Sequence, residues 1–276
     1  MLRRKITAWR DVIRTSRYRD QVQNLTPAPA LTDKPESAPW MVTIQYDAPS
    51  HGRFGWHLAA GVLIAPNLVL TCAHSFSQAA QRPGTIPQTA RRYSVRTGGT
   101  TLDDGTLHEI IAVIPHPHFN VRTGAHDVAI AVVAPGTEAA PLCLDPMPAK
   151  VGDSVVVPGW PDGRDGDGRL TRVRTTIVDP RIGGGNGMLC LANLAEPHNL
   201  RASYSGGPVI SLRDDVPRAC GVLHAGVQGV RVDGFGVPAL AVDLAKEFAF
   251  VEAVRRDFPR SELRPLISGR RDDEYR

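Results

Sequence analysis

From Pro39 onward, short apolar runs follow one another at close intervals. They are Met41–Tyr46, Ala59–Ile64, Leu68–Thr71, Tyr93–Thr97, His108–Ile114 and Val128–Val133, then Ser154–Val157, Thr171–Val178, Met188–Ala192, Pro208–Leu212, Ala219–Leu223 and Val237–Val242. Nearly all are bounded by Gly, Pro, Asn or Asp. Around a dozen short strands punctuated by turn residues predict an all-β barrel or sandwich. The two ends of the chain follow a different period. Leu2, Ile6, Trp9 and Ile13 recur at helical spacing and predict an amphipathic helix over residues 1–23, with Arg3, Arg4, Lys5, Arg10, Arg14, Arg17 and Arg19 on its other faces. A Pro-rich linker follows to residue 37. Near the other end, Asp243 is suited to cap a helix that places Leu244, Phe248, Val251 and Val254 on one side and stops before Pro259. Residues 259–276 read as a charged tail.

Composition narrows this picture little. The 276 residues are 42% hydrophobic and 22% charged, enough to bury a full core, and 26 Gly with 23 Pro favour turns over long helices. The net charge of +4 is small and its basic excess is gathered in the N-terminal helix, so nothing points to nucleic acid. The most apolar stretch, Leu58–Ala73, is interrupted by Pro66 and Asn67, and the first twenty residues lack the apolar core of a secretory signal. Cys72, Cys143, Cys190 and Cys220 form no C-x-x-C pair. They read as buried free thiols of a reducing compartment, which places the protein in the cytoplasm.

Three polar residues stand at strand boundaries in distinctive settings. L-V-L-T-C-A-H ends an apolar strand at His74, H-D-V-A-I-A-V-V opens one with Asp127, and S-Y-S-G-G-P-V-I sets Ser205 before two glycines, a proline and another strand. A serine hydroxyl is a poor nucleophile until a base within hydrogen-bond reach takes its proton, and histidine titrates near neutrality. A carboxylate behind the ring fixes the tautomer and stabilises the imidazolium.

T-C-A-H is similar to the histidine motif of chymotrypsin/trypsin-like serine peptidases. H-D-V-A-I resembles their aspartate motif and S-Y-S-G-G-P their serine motif, in the same His, Asp, Ser order. Weaker likenesses (P-W-M-V-T-I, P-H-P-H-F-N, P-L-C-L, V-V-V-P-G-W and G-V-P-A-L-A-V) extend the resemblance over about residues 38–258, to a bacterial-type, disulfide-poor member. It implies two six-stranded antiparallel Greek-key barrels, over about 38–140 and 141–242, a C-terminal helix at 243–258 and an added N-terminal helix. It also implies an endopeptidase acting on protein or peptide substrates. His74, Asp127 and Ser205 would be the triad, and the N–H groups of Ser203 and Ser205 the oxyanion hole. No cofactor or metal is implied.

The chain departs from the family at informative points. Tyr204 stands where animal trypsins have the aspartate that receives the new N-terminal amine after zymogen cleavage, so the active site is expected to form without such processing. Ser203 replaces a glycine of the oxyanion hole. This favours a regulated enzyme, or the alternative of a catalytically weak binding module on the same fold. Cys72 reads as small core filler. The substrate pocket is expected to draw on Asn199, Leu200, Arg201 and Ala202 on one side and His224, Ala225 and Gly226 on the other. Asn199 disfavours a preference for Arg or Lys, and Arg201 with His224 suggests an acidic side chain.

His108, His116, His118 and His126 invite comparison with a metal site, but Pro115 and Pro117 interrupt the segment and no nearby carboxylate or thiolate completes a set. A loop of solvated histidines is the expectation. The loops 163–169 and 182–187 lack a calcium or phosphate pattern. The basic helix 1–23 is a candidate contact for a regulatory protein partner, ahead of a membrane surface.

Overall fold

The computed structural model describes residues 38–46, 56–76, 93–161, 167–180, 187–192, 200, 202–213, 216–225, 231–232, 235–236 and 238–258. The helix and linker expected over 1–37 and the tail at 259–276 lie outside the described residues.

Strands β1 (Met41–Tyr46), β2 (His57–Ala65), β3 (Leu68–Thr71), β4 (Tyr93–Thr97), β5 (Thr106–Pro115) and β6 (Ala129–Val133) close a barrel in the order β1-β2-β3-β6-β5-β4. Closure comes from β4 pairing back onto β1, Val42 opposite Thr97 through Tyr46 opposite Tyr93. Strands β7 (Ser154–Gly159), β8 (Thr171–Val178), β9 (Met188–Leu191), β10 (Pro208–Ser211), β11 (Arg218–Ala225) and β14 (Ala239–Asp243) close a second. Its order, β7-β8-β9-β14-β11-β10, repeats the first once the small hairpin β12 (Arg231–Val232) and β13 (Phe235–Gly236) is set aside. The sequence pattern anticipates both barrels but not that hairpin, whose two-residue strands are too short to carry a period.

Burial explains the two kinds of strand. β3 and β6 are buried at every position and read as unbroken apolar runs, because both their faces are covered. β8 alternates, burying Val173, Thr175 and Ile177 while the intervening residues reach solvent. Val42, Ile44, Leu63, Leu70, Val95 and Ile130 sit in the core of the first barrel, and Val155, Leu191, Val209 and Leu223 in that of the second. The barrels meet near the serine turn, where the amide of Ala60 on β2 donates to the Ser205 carbonyl at 2.8 Å.

The C-terminal helix α1 (Leu244–Asp257) is capped by Asp243, whose carboxylate accepts from the Ala245 amide. Its buried residues are Leu244, Glu247, Val251 and Val254. Phe248, expected on that stripe, is only half-buried, and the carboxylate of Glu247 lies inside. No helix among the described residues is long and apolar enough to cross a membrane. All four cysteines are free, as expected, but Cys143 is exposed rather than buried.

Candidate active site

His74 begins a 3-10 turn (His74–Phe76) just past β3, and Asp127 precedes β6, the strand that pairs with β3. Neighbouring strands thus bring the two together. Asp127 is wholly buried. Its Oδ1 accepts the His74 amide at 2.7 Å and its Oδ2 accepts His74 Nδ1 at 2.6 Å. This pairing puts a ring proton on Nδ1, and Nε2 is the nitrogen that gains or loses the second proton.

A second imidazole shares the same carboxylate. His224 Nδ1 lies 2.5 Å from Asp127 Oδ2, with its ring perpendicular to His74 at a centroid distance of 5.6 Å. His224, expected to line the substrate pocket, has its Nδ1 engaged by Asp127. Its opposite edge packs on Gly124, where a Cβ would come within 2.7 Å of His224 Cε1 and Nε2. Burial alone would raise the Asp127 carboxyl, but the hydrogen bonds and charges of His224 and His74 more than offset it and hold it at about 2. For His74, burial works against the charged ring. The Cys72 sulfur and the Asp127 carboxylate overcome that and push it up to about 11.

Cys72, expected as mere filler, is buried, but its Sγ lies 3.7 Å from His74 Nε2 and 3.0 Å from Ser75 Oγ. It touches the ring nitrogen that faces away from Asp127.

Ser205 lies in the turn between a 3-10 segment (Ala202–Tyr204) and β10. Its hydroxyl donates to the His224 carbonyl at 3.4 Å. Gly206 follows with φ +82°, and a Cβ there would lie 2.3 Å from the Ala60 carbonyl, so only glycine fits. Two residues brace this turn. Tyr204 is buried, with its hydroxyl 2.5 Å from Thr171 Oγ1 and its ring filling the space over Gly159. His57, at the start of β2, bonds Thr43 Oγ1 through Nδ1 at 2.7 Å and the Ser203 carbonyl through Nε2 at 3.2 Å. Nε2 is the donor to that carbonyl, so the Thr43 hydroxyl donates to Nδ1. Burial lowers His57 to about 4, against the raising effect of the Ser203 carbonyl.

Of the other pocket candidates, Leu200 is fully buried, Ala202 opens the 3-10 segment and Ala225 ends β11 opposite Leu240. Asn199, Arg201 and Gly226 lie outside the described residues. His57 was missed in the sequence altogether. His74, Asp127 and His224 also offer one ligand atom each within 4.8 Å of one another, but these atoms already bond across the shared carboxylate.

Comparison with known proteins agrees with this architecture. The chain is 30% identical to Granzyme M of Homo sapiens over 197 residues, 64% of this chain and 70% of that protein. It is 29% identical to Serine protease 56 of Homo sapiens over 198 residues, which cover 63% of this chain but only 30% of that protein. With the Vitellin-degrading protease of Bombyx mori it shares 26% over 152 residues, about half of each chain. The model of the trypsin family matches residues 31–246, most of the chain, and with two closed six-stranded barrels meeting at the serine turn the chain belongs to the trypsin family of serine proteases.

Proposed function

We propose that this chain is a serine endopeptidase with Ser205 as nucleophile, His74 as general base and Asp127 as the group that orients His74. The observation that carries the reading is the buried Asp127 carboxylate, which holds both the backbone amide and Nδ1 of His74. With Nδ1 committed, Nε2 can take the Ser205 proton as Oγ bonds to the scissile carbonyl carbon. The amide N–H groups of Ser203 and Ser205 stabilise the oxyanion. His74 then returns the proton to the leaving amine as the C–N bond breaks, and water hydrolyses the acyl-enzyme by the same relay.

The Tyr204 hydroxyl on Thr171 supports a nucleophile turn that forms without a processed N-terminus, because a neutral hydrogen bond braces the residue before Ser205. Four free cysteines suit a reducing compartment such as the cytoplasm. A second reading, a binding module with weak catalysis, is favoured by the 3-10 turn at Ala202–Tyr204. Such a turn aims its following amides back at its own carbonyls rather than at a substrate.

A fluorophosphonate probe separates the two. Ser205 Oγ displaces its fluoride and becomes phosphonylated, so the peptidase reading expects stoichiometric labelling that Ser205→Ala abolishes. A folded protein that stays unlabelled, with or without peptide substrates, refutes it.

A further inference from the structure

Away from the catalytic carboxylate, three residues distant in sequence converge beside the first barrel. His116 follows β5, His126 immediately precedes Asp127, and Glu247 comes from the first turn of α1. We propose that His116, His126 and Glu247 form a binding site for a divalent transition cation of the Zn2+ type. Near these histidines no carboxylate in the sequence completes the set; the helix supplies Glu247, which no sequence spacing reveals.

The distances fit the ion. With Zn–N and Zn–O bonds of about 2.0–2.1 Å, two ligand atoms of a tetrahedral site lie about 3.3 Å apart. Glu247 Oε2 is 3.2 Å from His116 Nε2 and 3.2 Å from His126 Nδ1, and all three ligand atoms fall within 4.8 Å of one another. Two imidazoles and one carboxylate are a donor set that suits Zn2+, Co2+ or Ni2+ and not the oxygen-loving Ca2+ or Mg2+.

The surroundings are those of a built site with one open side. The side chains of His116 and Glu247 are 10% and 7% exposed, while that of His126 is 42% exposed and gives entry from solvent. The His116 and His126 rings stack at 4.6 Å, and the open side at His126 leaves the fourth position to water. Stacked imidazoles repel once both are protonated, so a single bridging carboxylate satisfies them poorly and a dication satisfies them well. His126 also has φ +53°, alone among the described non-glycine residues with φ above zero. Such strain persists where the surroundings hold it.

Without metal, His116 Nε2 carries the proton shared with Glu247, and Nδ1 accepts the His118 amide at 3.2 Å. A cation takes the Nε2 lone pair, the ring proton moves to Nδ1, and that long amide contact is given up. At His126 the cation takes Nδ1 and the proton sits on Nε2. Because the Val128 amide closes a tight turn on the His126 carbonyl at 2.8 Å, an ion here grips the turn that carries Asp127.

The test uses the untagged full chain, stripped with a chelator and titrated with Co2+ and Zn2+. One equivalent of Co2+ is expected to give the visible d–d bands of a four-coordinate site. Zn2+ at a hundredfold excess over its Kd should raise Tm by about 5 °C or more. His126→Asn, which tolerates positive φ, should weaken binding by more than the roughly 10- to 100-fold that loss of an outer-shell partner costs. Glu247→Gln should do the same; if it fails to fold, His126→Asn with its exposed side chain still decides. His224→Ala should keep the bands. Absence of bands and of a Tm shift at millimolar metal overturns the proposal, as do bands that survive His126→Asn or vanish in His224→Ala.

Discussion

Acidification offers a direct reading of His57. Its folded-state pKa is lowered from 6.5 to about 4, so between those values the unfolded chain binds a proton that the native chain refuses. Stability must therefore rise with pH through that window and fall on acidification. A shift of about 2.5 units corresponds to about 3 kcal/mol when fully expressed, and about 2 kcal/mol of it is lost between about pH 7 and about pH 4.5. His57 keeps some surface in contact with solvent, which puts these figures at the upper end. Two neighbours do not confuse the window. Asp127, lowered from 3.8 to about 2, contributes stability that is lost only below it, and His74, raised to about 11, contributes stability that is lost only above it. His108 and His116 are lowered too, so the comparison must be with a variant. His57→Gln keeps an N–H for the Ser203 carbonyl and cannot titrate. Urea unfolding of both proteins across the range should give the wild type the steeper loss, by about 2 kcal/mol. Parallel curves would refute a neutral His57 as the brace of the turn leading into Ser205.

Two further outcomes test the site. Gly159→Ala places a Cβ 2.3 Å from Tyr204 Cδ1, with the buried ring unable to retreat. It should cost about 1–3 kcal/mol in thermal unfolding and reduce fluorophosphonate labelling more than Tyr204→Phe, which forfeits one hydrogen bond worth about 1 kcal/mol. Cys72→Ala removes the sulfur beside His74 Nε2, so the pH midpoint for labelling of Ser205 should move down, toward 6.5; an unchanged midpoint would mean the thiol exerts no pull on the ring.

Strand positions are legible in this chain because short apolar runs are cut cleanly by turn residues. Met41–Tyr46, Leu68–Thr71, Tyr93–Thr97 and Thr171–Val178 have the same limits in the pattern and in the fold. What escaped lies where that pattern stops. β2 begins at His57, two residues before its apolar run, and β11 continues through His224 after its run ends at Leu223. A polar residue at a strand end looks like loop in the sequence. There His57 reaches the Ser203 carbonyl and His224 the Asp127 carboxylate, contacts that no apolar period signals. Glu247 escaped for a related reason. A helix stripe of Leu244, Phe248, Val251 and Val254 satisfies the apolar period, and only the packed structure shows that a carboxylate at the next position is the one turned inward.

These buried polar groups serve the two turns unequally. The Asp127 turn is held by charge, through a carboxylate with donors on both oxygens. The turn leading into Ser205 is held by neutral contacts, Tyr204 on Thr171 and His57 on the Ser203 carbonyl. A carboxylate held at about 2 and an imidazole held at about 4 fail at different acidities, and the imidazole fails first. Mild acid should therefore loosen the support of the nucleophile while Asp127 is still ionised. In the proposed peptidase the oxyanion hole would depend on that same turn, with Ser203 in it. In that reading the weak point of the site is the turn leading into Ser205 rather than the His74–Asp127 pair.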